Sequence, residues 1–159
     1  QIWWGSRTRP LGVRTSIGDH SANMRPLIAD VNGDGRDDIL WYEPGASNHR
    51  LWTGNSSGNF TNARVDIPAN RRLVAGDFTG DGVDDVVAVR GSSASTYPGT
   101  RGGGLRAPVN SSVAVGNDHK VGDVDGDRRD DLVITSTRTG RAVVVYGRSD
   151  ARLAESTTL

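Results

Sequence analysis

The sequence predicts an all-β fold assembled from repeated units of about four short antiparallel strands. Glycine accounts for 21 of the 159 residues and only 35% of the chain is apolar, a balance that suits short strands joined by tight turns. An acidic nine-residue pattern recurs at starts 47 and 46 residues apart. No stretch of ten or more residues has the period of an amphipathic helix. Together these observations indicate a β-repeat protein.

Two sequence markers share the same period. The acidic pattern reads Asp-Val-Asn-Gly-Asp-Gly-Arg-Asp-Asp at 30–38, Asp-Phe-Thr-Gly-Asp-Gly-Val-Asp-Asp at 77–85 and Asp-Val-Asp-Gly-Asp-Arg-Arg-Asp-Asp at 123–131. An aromatic residue close before a glycine is the second marker, and its glycines are spaced by 49, 45 and 48 residues. It stands at Trp4-Gly5, Trp52-Thr-Gly54, Tyr97-Pro-Gly99 and Tyr146-Gly147. Two independent markers with one period establish the repeat.

The order of features within a unit predicts its architecture. A short apolar stretch precedes each acidic loop, a β-rich run follows it, and a second strand ends at the aromatic-glycine marker. About four strands in roughly 47 residues is the size of one blade of a β-propeller. We interpret residues 1–159 as a single repeat domain, with loop-centred repeats starting near 30, 77 and 123 and part-units at 1–29 and 148–159.

The number of repeats falls short of a closed ring. Three full repeats plus a part-unit are fewer than the roughly four to eight blades of a propeller. We therefore expect a segment of a larger propeller, completed by another chain or by further repeats of the same protein. The chain begins at Gln1 without a methionine or a signal peptide, so we expect a mature or excised product.

The acidic loops have the composition of calcium sites. Calcium takes six to eight oxygen ligands, and a loop of the form Asp-x-Asp/Asn-x-Asp-Gly offers side-chain oxygens at positions one, three and five. Position seven adds a main-chain carbonyl and position nine a further aspartate. The candidate ligands are Asp30, Asn32, Asp34, the Arg36 carbonyl and Asp38; Asp77, Thr79, Asp81, the Val83 carbonyl and Asp85; and Asp123, Asp125, Asp127, the Arg129 carbonyl and Asp131. Position twelve is apolar, so the loops are not EF-hands.

The nine-residue loop followed by an apolar strand resembles the FG-GAP repeat of integrin α-subunit propellers and bacterial VCBS-type repeat proteins. The resemblance covers essentially the whole chain and implies a β-propeller whose loops bind structural Ca²⁺ through positions one, three, five, seven and nine. It also implies a secreted or cell-surface protein. The first loop fits the pattern best, whereas Arg128 stands where the other two loops have glycine. We expect a strained turn there.

Composition excludes several other classes. Nineteen basic and nineteen acidic residues give no net charge, and no basic run is dense enough to follow a nucleic acid backbone. The chain has no cysteine, which removes disulfides and thiolate metal sites. No apolar stretch reaches the roughly 18 residues of a membrane helix, so we expect no membrane insertion.

Catalytic constellations are absent from the sequence pattern. His20, His49 and His119 are expected in loops, with no serine or cysteine arrangement repeated around them. The position-eight aspartates could be half of an acid–base pair, but their presence in all three units favours a role in loop architecture. They are Asp37, Asp84 and Asp130. We therefore predict a protein that is not an enzyme.

The predicted function is binding. We expect a calcium-binding propeller module of a secreted or cell-surface protein, acting as a scaffold for a protein or glycan partner. One alternative is a lectin with sugar sites between blades, since the recurring aromatic residues could stack on sugar rings; packing between blades is the favoured role for them. Trp3 and Trp4 point to opposite faces of an extended strand, so one of them is a candidate exposed ring. A second alternative is an accessory domain of a secreted hydrolase or toxin.

Overall fold

The computed structural model of the chain describes residues 2–3, 14–15, 23–46 and 49–155. All helical or extended structure in these ranges is β-strand. Twelve strands form three four-stranded antiparallel sheets, here called blades 1, 2 and 3. A separate two-stranded sheet pairs β1 (Ile2–Trp3) with β2 (Arg14–Thr15). The prediction of an all-β fold built from four-stranded propeller blades is confirmed.

Each blade is a meander in which strands that are consecutive in sequence are hydrogen-bonded neighbours. Blade 1 contains β3 (Arg25–Ala29), β4 (Asp38–Tyr42), β5 (His49–Gly54) and β6 (Phe60–Val65). Blade 2 contains β7 (Arg72–Gly76), β8 (Asp85–Arg90), β9 (Ser93–Tyr97) and β10 (Val109–Ser112). Blade 3 contains β11 (Asp118–Gly122), β12 (Asp131–Ser136), β13 (Arg141–Tyr146) and β14 (Ala154–Glu155). The last strand lies within the C-terminal part-unit that the spacing predicted.

The burial pattern of the second strand shows how many faces of its blade are covered by neighbouring structure. In β8, the run Val86–Val89 is buried on both sides of the strand, which suits a β-branched sequence in a central blade. In β12, Leu132 and Ile134 are buried while Val133 and Thr135 are half-buried. Because successive side chains point to opposite faces, blade 3 is covered on one face and partly open on the other.

The hydrophobic cores lie between neighbouring blades. One cluster joins blades 1 and 2 and includes Val31, Leu51 and Tyr97. The other joins blades 2 and 3 and includes Phe78 and Leu132. Tyr97 therefore packs between blades, as favoured for the recurring aromatic residues. Each blade buries its apolar faces against the next one, which is how stacked repeats form a continuous core.

Two histidines lie in strands, so the prediction that they fall in loops is wrong. His49 begins β5 and is fully buried, with its ring centroid 4.5 Å from that of Tyr42. Its Nδ1 accepts a hydrogen bond from the Glu43 N–H at 3.3 Å. Burial lowers the pKa of His49 and likewise that of His119, which lies in β11. Two neutral, packed rings are structural elements of the blades.

Some predictions fall on residues outside the described ranges. These are the first aromatic-glycine marker at Trp4-Gly5, the side-chain direction of Trp3, and His20. Among the residues that the structure does describe, no helix is long and apolar enough to cross a membrane.

Candidate metal-binding loops

The three acidic loops occupy the same place in each blade. Each one connects the first strand to the second, and its ninth residue is the first residue of that second strand. The first strands of adjacent blades also contact each other. The loops therefore line up at one end of the three blades, as repeats of one structural element should.

The aspartate at position one organises each loop. Its carboxylate accepts hydrogen bonds from main-chain N–H groups at positions four to six of the loop. The N–H of the sixth residue donates at 2.7 Å from Gly35 to Asp30, at 2.8 Å from Gly82 to Asp77, and at 3.0 Å from Arg128 to Asp123. The short side chain thus closes the turn by bonding its own backbone.

The sixth position needs a left-handed backbone in all three loops. Its φ is 80° at Gly35, 78° at Gly82 and 70° at Arg128. A side chain in this conformation costs about 1–2 kcal/mol, so the third loop carries the backbone strain that its sequence indicates. Arg128 nevertheless keeps the same hydrogen bond as the two glycines.

The aspartate at position nine is buried in each loop, with Asp38, Asp85 and Asp131 all exposed by 1% or less. One oxygen of each accepts a hydrogen bond from the glycine of the aromatic-glycine marker in the same blade. The three bonds are 2.9 Å from Gly54 to Asp38, 3.0 Å from Gly99 to Asp85 and 3.0 Å from Gly147 to Asp131. The two sequence markers are therefore the two partners of one contact.

Burial makes two of these carboxylates costly to ionise. Desolvation raises the pKa of Asp38 to about 6, against the opposing effect of the Gly54 N–H, and the charges of Asp30 and Asp34 raise it further. Desolvation also raises the pKa of Asp85 to about 6. The Asp38 Oδ2 atom is buried and makes no hydrogen bond of normal geometry. The nearby Val31 N–H nevertheless lowers the pKa of the Asp38 carboxyl. A cation beside these oxygens would offset that cost.

The third loop gathers the most carboxylates. Oxygens of Asp123, Asp125 and Asp131, at positions one, three and nine, all lie within 4.8 Å of one another. The fifth-position carboxylate of Asp127 instead forms an ion pair with the Arg129 guanidinium. The strained third loop therefore assembles three acidic side chains. That the first loop is the best calcium site stays a prediction.

The fifth and third positions differ in the other two loops. Asp34 is paired with Arg36 at 2.6 Å, and the Asn32 Oδ1 atom accepts the Asp34 N–H at 2.9 Å. In the second loop, Asp81 accepts the Val83 N–H at 3.0 Å. The Thr79 Oγ1 atom is buried there without a formed hydrogen bond, although it is close enough to Asp85 to lower the pKa of that carboxyl. At the seventh position, the side chain of Val83 is buried, that of Arg129 is half-buried and that of Arg36 is exposed.

Two of the three position-eight aspartates join neighbouring blades, whereas the sequence favoured a role in loop architecture for all three. Asp84 accepts the Asp30 N–H at 2.9 Å and returns its own N–H to the Asp30 carbonyl at 3.0 Å. Asp130 repeats the exchange with Asp77 at 2.9 and 2.8 Å. Burial raises the pKa of Asp84, and the charges of Asp30 and Asp130 add to that effect. Asp84 and Asp130 therefore act as clamps between blades.

Replacing Asp130 with alanine should destabilise the fold by about 1–3 kcal/mol, because the partly buried Asp77 N–H would lose its acceptor. Asp37→Ala is the matched control: it occupies the same position in blade 1, where its side chain is exposed. Urea unfolding in EGTA measures both. Equal losses from the two variants would contradict the clamp.

Comparison with known proteins agrees with this geometry. The model of the FG-GAP-like repeat family matches residues 30–88, which contain the first two loops. No curated protein matches the chain.

Two solved structures have a similar fold. One is the Tc holotoxin pore of Photorhabdus luminescens, with a TM-score of 0.60 and 21% identity over 85% of this chain and 7% of that one. The other is an Agrocybe aegerita lectin that recognises non-reducing terminal N-acetylglucosamine, with a TM-score of 0.65 and 15% identity over 86% of this chain and 39% of the lectin. The chain spans less than half the length of either protein, and these identities establish the fold alone. Residues 30–88 are thus similar to the FG-GAP-like repeat, within a chain that folds as blades of a β-propeller.

Proposed function

We propose that the chain is a calcium-binding module of a secreted or cell-surface protein, acting by binding a protein or glycan partner rather than by catalysis. The observation that carries the calcium proposal is the convergence of the Asp123, Asp125 and Asp131 oxygens within 4.8 Å. Three carboxylates at this separation repel one another unless a cation lies between them.

The donor set fits calcium better than other common metals. All side-chain candidates are oxygen ligands, and the chain has no cysteine; carboxylates, carbonyls and hydroxyls suit hard cations. Magnesium requires a near-ideal octahedron, whereas calcium tolerates irregular oxygen loops. A bound ion would neutralise the buried ninth residue and tie it to position one. The two strands that flank each loop would then be fixed together.

Calcium titration of the full chain by isothermal titration calorimetry tests this proposal. Asp125→Ala removes an exposed candidate ligand, whose carboxylate accepts a hydrogen bond from the Asp127 N–H. This variant should bind one calcium ion fewer than the native chain. Asp66→Ala, an exposed aspartate outside the loops, should leave the stoichiometry unchanged. Absence of binding at millimolar calcium would refute the metal site.

The same chemistry supports an extracellular location. Calcium loops of extracellular modules bind the ion at about 10⁻⁴–10⁻³ M, a range in which sites are filled outside cells and largely empty inside them. The lectin and toxin similarities support secretion and two kinds of role, sugar binding and service within a larger toxin assembly. Hydrolytic turnover by the purified chain would contradict a purely binding function.

A groove between blades 1 and 2 is the candidate ligand site. It has a volume of about 480 Å³. Its lining residues are basic or apolar apart from Tyr42 and Asn70: Arg25, Pro26, Leu27, Tyr42, Pro44, Asn70, Arg71, Arg72 and Leu73. The three arginines that line the groove, Arg25, Arg71 and Arg72, favour an anionic ligand, because a guanidinium binds a carboxylate or sulfate through charge-assisted hydrogen bonds.

The residues that line the groove differ from those at the other described blade junction. At the matching junction of blades 2 and 3, Asn117, Asp118 and His119 replace the Arg71, Arg72 and Leu73 of the groove. Features that repeat in every blade serve the fold, so a feature present at one junction is a better candidate for recognition. The Arg71 backbone is held there by its N–H bond to the Tyr42 hydroxyl at 2.7 Å.

A glycan array that includes acidic and neutral sugars tests the groove. Acidic glycans should bind the native chain, and Arg71→Gln should abolish this binding. Arg138→Gln, at an exposed position outside the groove, should retain it. Binding of neutral N-acetylglucosamine glycans that survives Arg71→Gln would place the ligand site elsewhere.

A further inference from the structure

We propose that Asn32, in the acidic loop of blade 1, is a deamidation site, and that its conversion to aspartate gives this loop the carboxylates of the third loop. Asn32 is followed by Gly33, and this is the one Asn-Gly pair in the sequence. Asparagine deamidates most readily before glycine, because a residue without a side chain does not hinder the attack of its own main-chain nitrogen.

The reaction requires no reagent other than water. The Gly33 nitrogen attacks the Asn32 Cγ atom, so an N–Cγ bond forms and the Cγ–Nδ2 bond breaks. The side-chain amide leaves as ammonia, taking the proton that the Gly33 nitrogen gives up, and a succinimide ring remains. Water then opens the ring. Breaking the new N–Cγ bond yields aspartate with the original main chain, whereas breaking the bond from nitrogen to the Asn32 main-chain carbonyl carbon yields isoaspartate.

The attacking nitrogen is free in the first loop and held in the other two. Among the described residues, the Gly33 N–H has no hydrogen-bond acceptor. The equivalent N–H groups donate to the aspartate at position one, at 2.7 Å from Gly80 to Asp77 and at 2.7 Å from Gly126 to Asp123. A nitrogen bonded to a carboxylate must leave that acceptor before it can attack, which slows the reaction. The fold thus protects this position in two loops and exposes it in the first.

The side chain of Asn32 is placed for attack. Its Oδ1 atom accepts the Asp34 N–H at 2.9 Å. Negative charge develops on this oxygen as the nitrogen adds to Cγ, and an N–H group already aimed at it stabilises that charge. Asn32 and Gly33 are half-buried, so solvent water reaches the pair to open the ring.

The third loop shows that an aspartate fits at this position. Asp125 is the equivalent residue, and its Oδ1 atom accepts the Asp127 N–H at 3.1 Å, as Asn32 accepts that of Asp34. Deamidation would therefore place carboxylates at positions one, three and nine, the set whose oxygens lie within 4.8 Å of one another in the third loop. An additional carboxylate tightens calcium binding, a consequence that rests on the proposed calcium function.

Asp125→Asn provides a matched comparison within one chain. It makes residues 123–127 identical to residues 30–34, with the sequence Asp-Val-Asn-Gly-Asp, so the two Asn-Gly pairs differ in their place in the fold. The folded variant is incubated at neutral pH in EGTA, and peptide mapping by mass spectrometry follows both sites. Asn32 should deamidate about tenfold faster or more, because the introduced asparagine faces a bonded nitrogen. In urea the two rates should become equal.

The exposed Asn55 is an internal reference for the role of glycine. Its Oδ1 atom also accepts main-chain N–H groups, but a serine follows it, so it should react more slowly than Asn32. Equal rates at the two Asn-Gly pairs in the folded variant would overturn the proposal. So would an Asn32 that stays intact while the unfolded chain is converted, or a product that is isoaspartate alone. Circular dichroism checks that the variant is folded.

Calorimetry with Asn32→Asp tests the consequence for calcium separately. This variant is the aspartate product in pure form, and it should bind one calcium ion several-fold more tightly than the native chain. Unchanged affinities in a chain that binds calcium would show that position three does not set the affinity of the first loop. A native chain that binds no calcium would refute the proposed metal function and this consequence, whereas the mass spectra would still decide whether Asn32 deamidates.

Discussion

In millimolar calcium the chain is expected to unfold at a markedly higher temperature than in EGTA. An ion that binds only the folded state stabilises it by about 2.7 kcal/mol per site at a hundredfold excess over the dissociation constant. For a domain of this size, one kcal/mol raises the melting temperature by about 2–4 °C. Each filled loop should therefore add about 5–11 °C, and a calorimetric melt over a calcium series measures the sum.

The controls separate structural calcium from a general effect of salt. An equal concentration of magnesium should give a much smaller shift, because its octahedral preference suits an irregular loop poorly. Asp125→Ala should lose the share of the shift that belongs to the third loop, and Asp66→Ala should keep all of it. A melting temperature that is the same in EGTA and in calcium would mean that the loops are turns and not metal sites.

The repeat markers and the blade architecture could be read from the sequence because they depend on local patterns. The acidic loop begins at position one and ends at position nine, where the next strand begins, and both ends coincide with observed strand boundaries near Ala29 and Asp38. The four-strand unit also follows from the period. What the period could not reveal was why the second marker contains glycine.

The reasons for the markers are contacts across the fold. Gly99 donates its N–H to Asp85, fourteen residues earlier in the chain. Asp84 reaches Asp30 across 54 residues, and no sequence pattern identifies a partner at that distance. The burial of His49 against Tyr42 is a tertiary contact as well, which explains why its position between polar residues suggested a loop. All three are tertiary contacts, and the one between Asp84 and Asp30 joins two blades.

Gly99→Ala should be among the most destabilising single substitutions in the chain. A Cβ at this position would lie 2.9 Å from the Val31 carbonyl oxygen of blade 1 and still closer to the Asp84 carbonyl oxygen of its own blade. Overpacking usually costs about 1–3 kcal/mol, and more where the neighbours cannot move. The Val31 oxygen accepts an interblade hydrogen bond from the Thr100 N–H, and the Asp84 main chain is held by the bond from its own N–H to the Asp30 carbonyl. The Cγ1 atom of Val83 would also lie 2.6 Å from the added Cβ. We therefore expect a loss of about 3 kcal/mol or more.

Gly54→Ala is the matched control for this substitution. Gly54 is the glycine of the same marker in blade 1, but a Cβ there would lie 3.5 Å from the Asp37 carbonyl oxygen and 3.5 Å from the ring of Phe60, at ordinary contact distances. Its loss of stability in urea unfolding should be within about 1 kcal/mol. The difference between the two variants measures the cost of the close contacts at the Gly99 position, which come from Val83 and Asp84 of its own blade and from Val31 of blade 1. If both variants lose the same stability, these close contacts are not what requires the glycine.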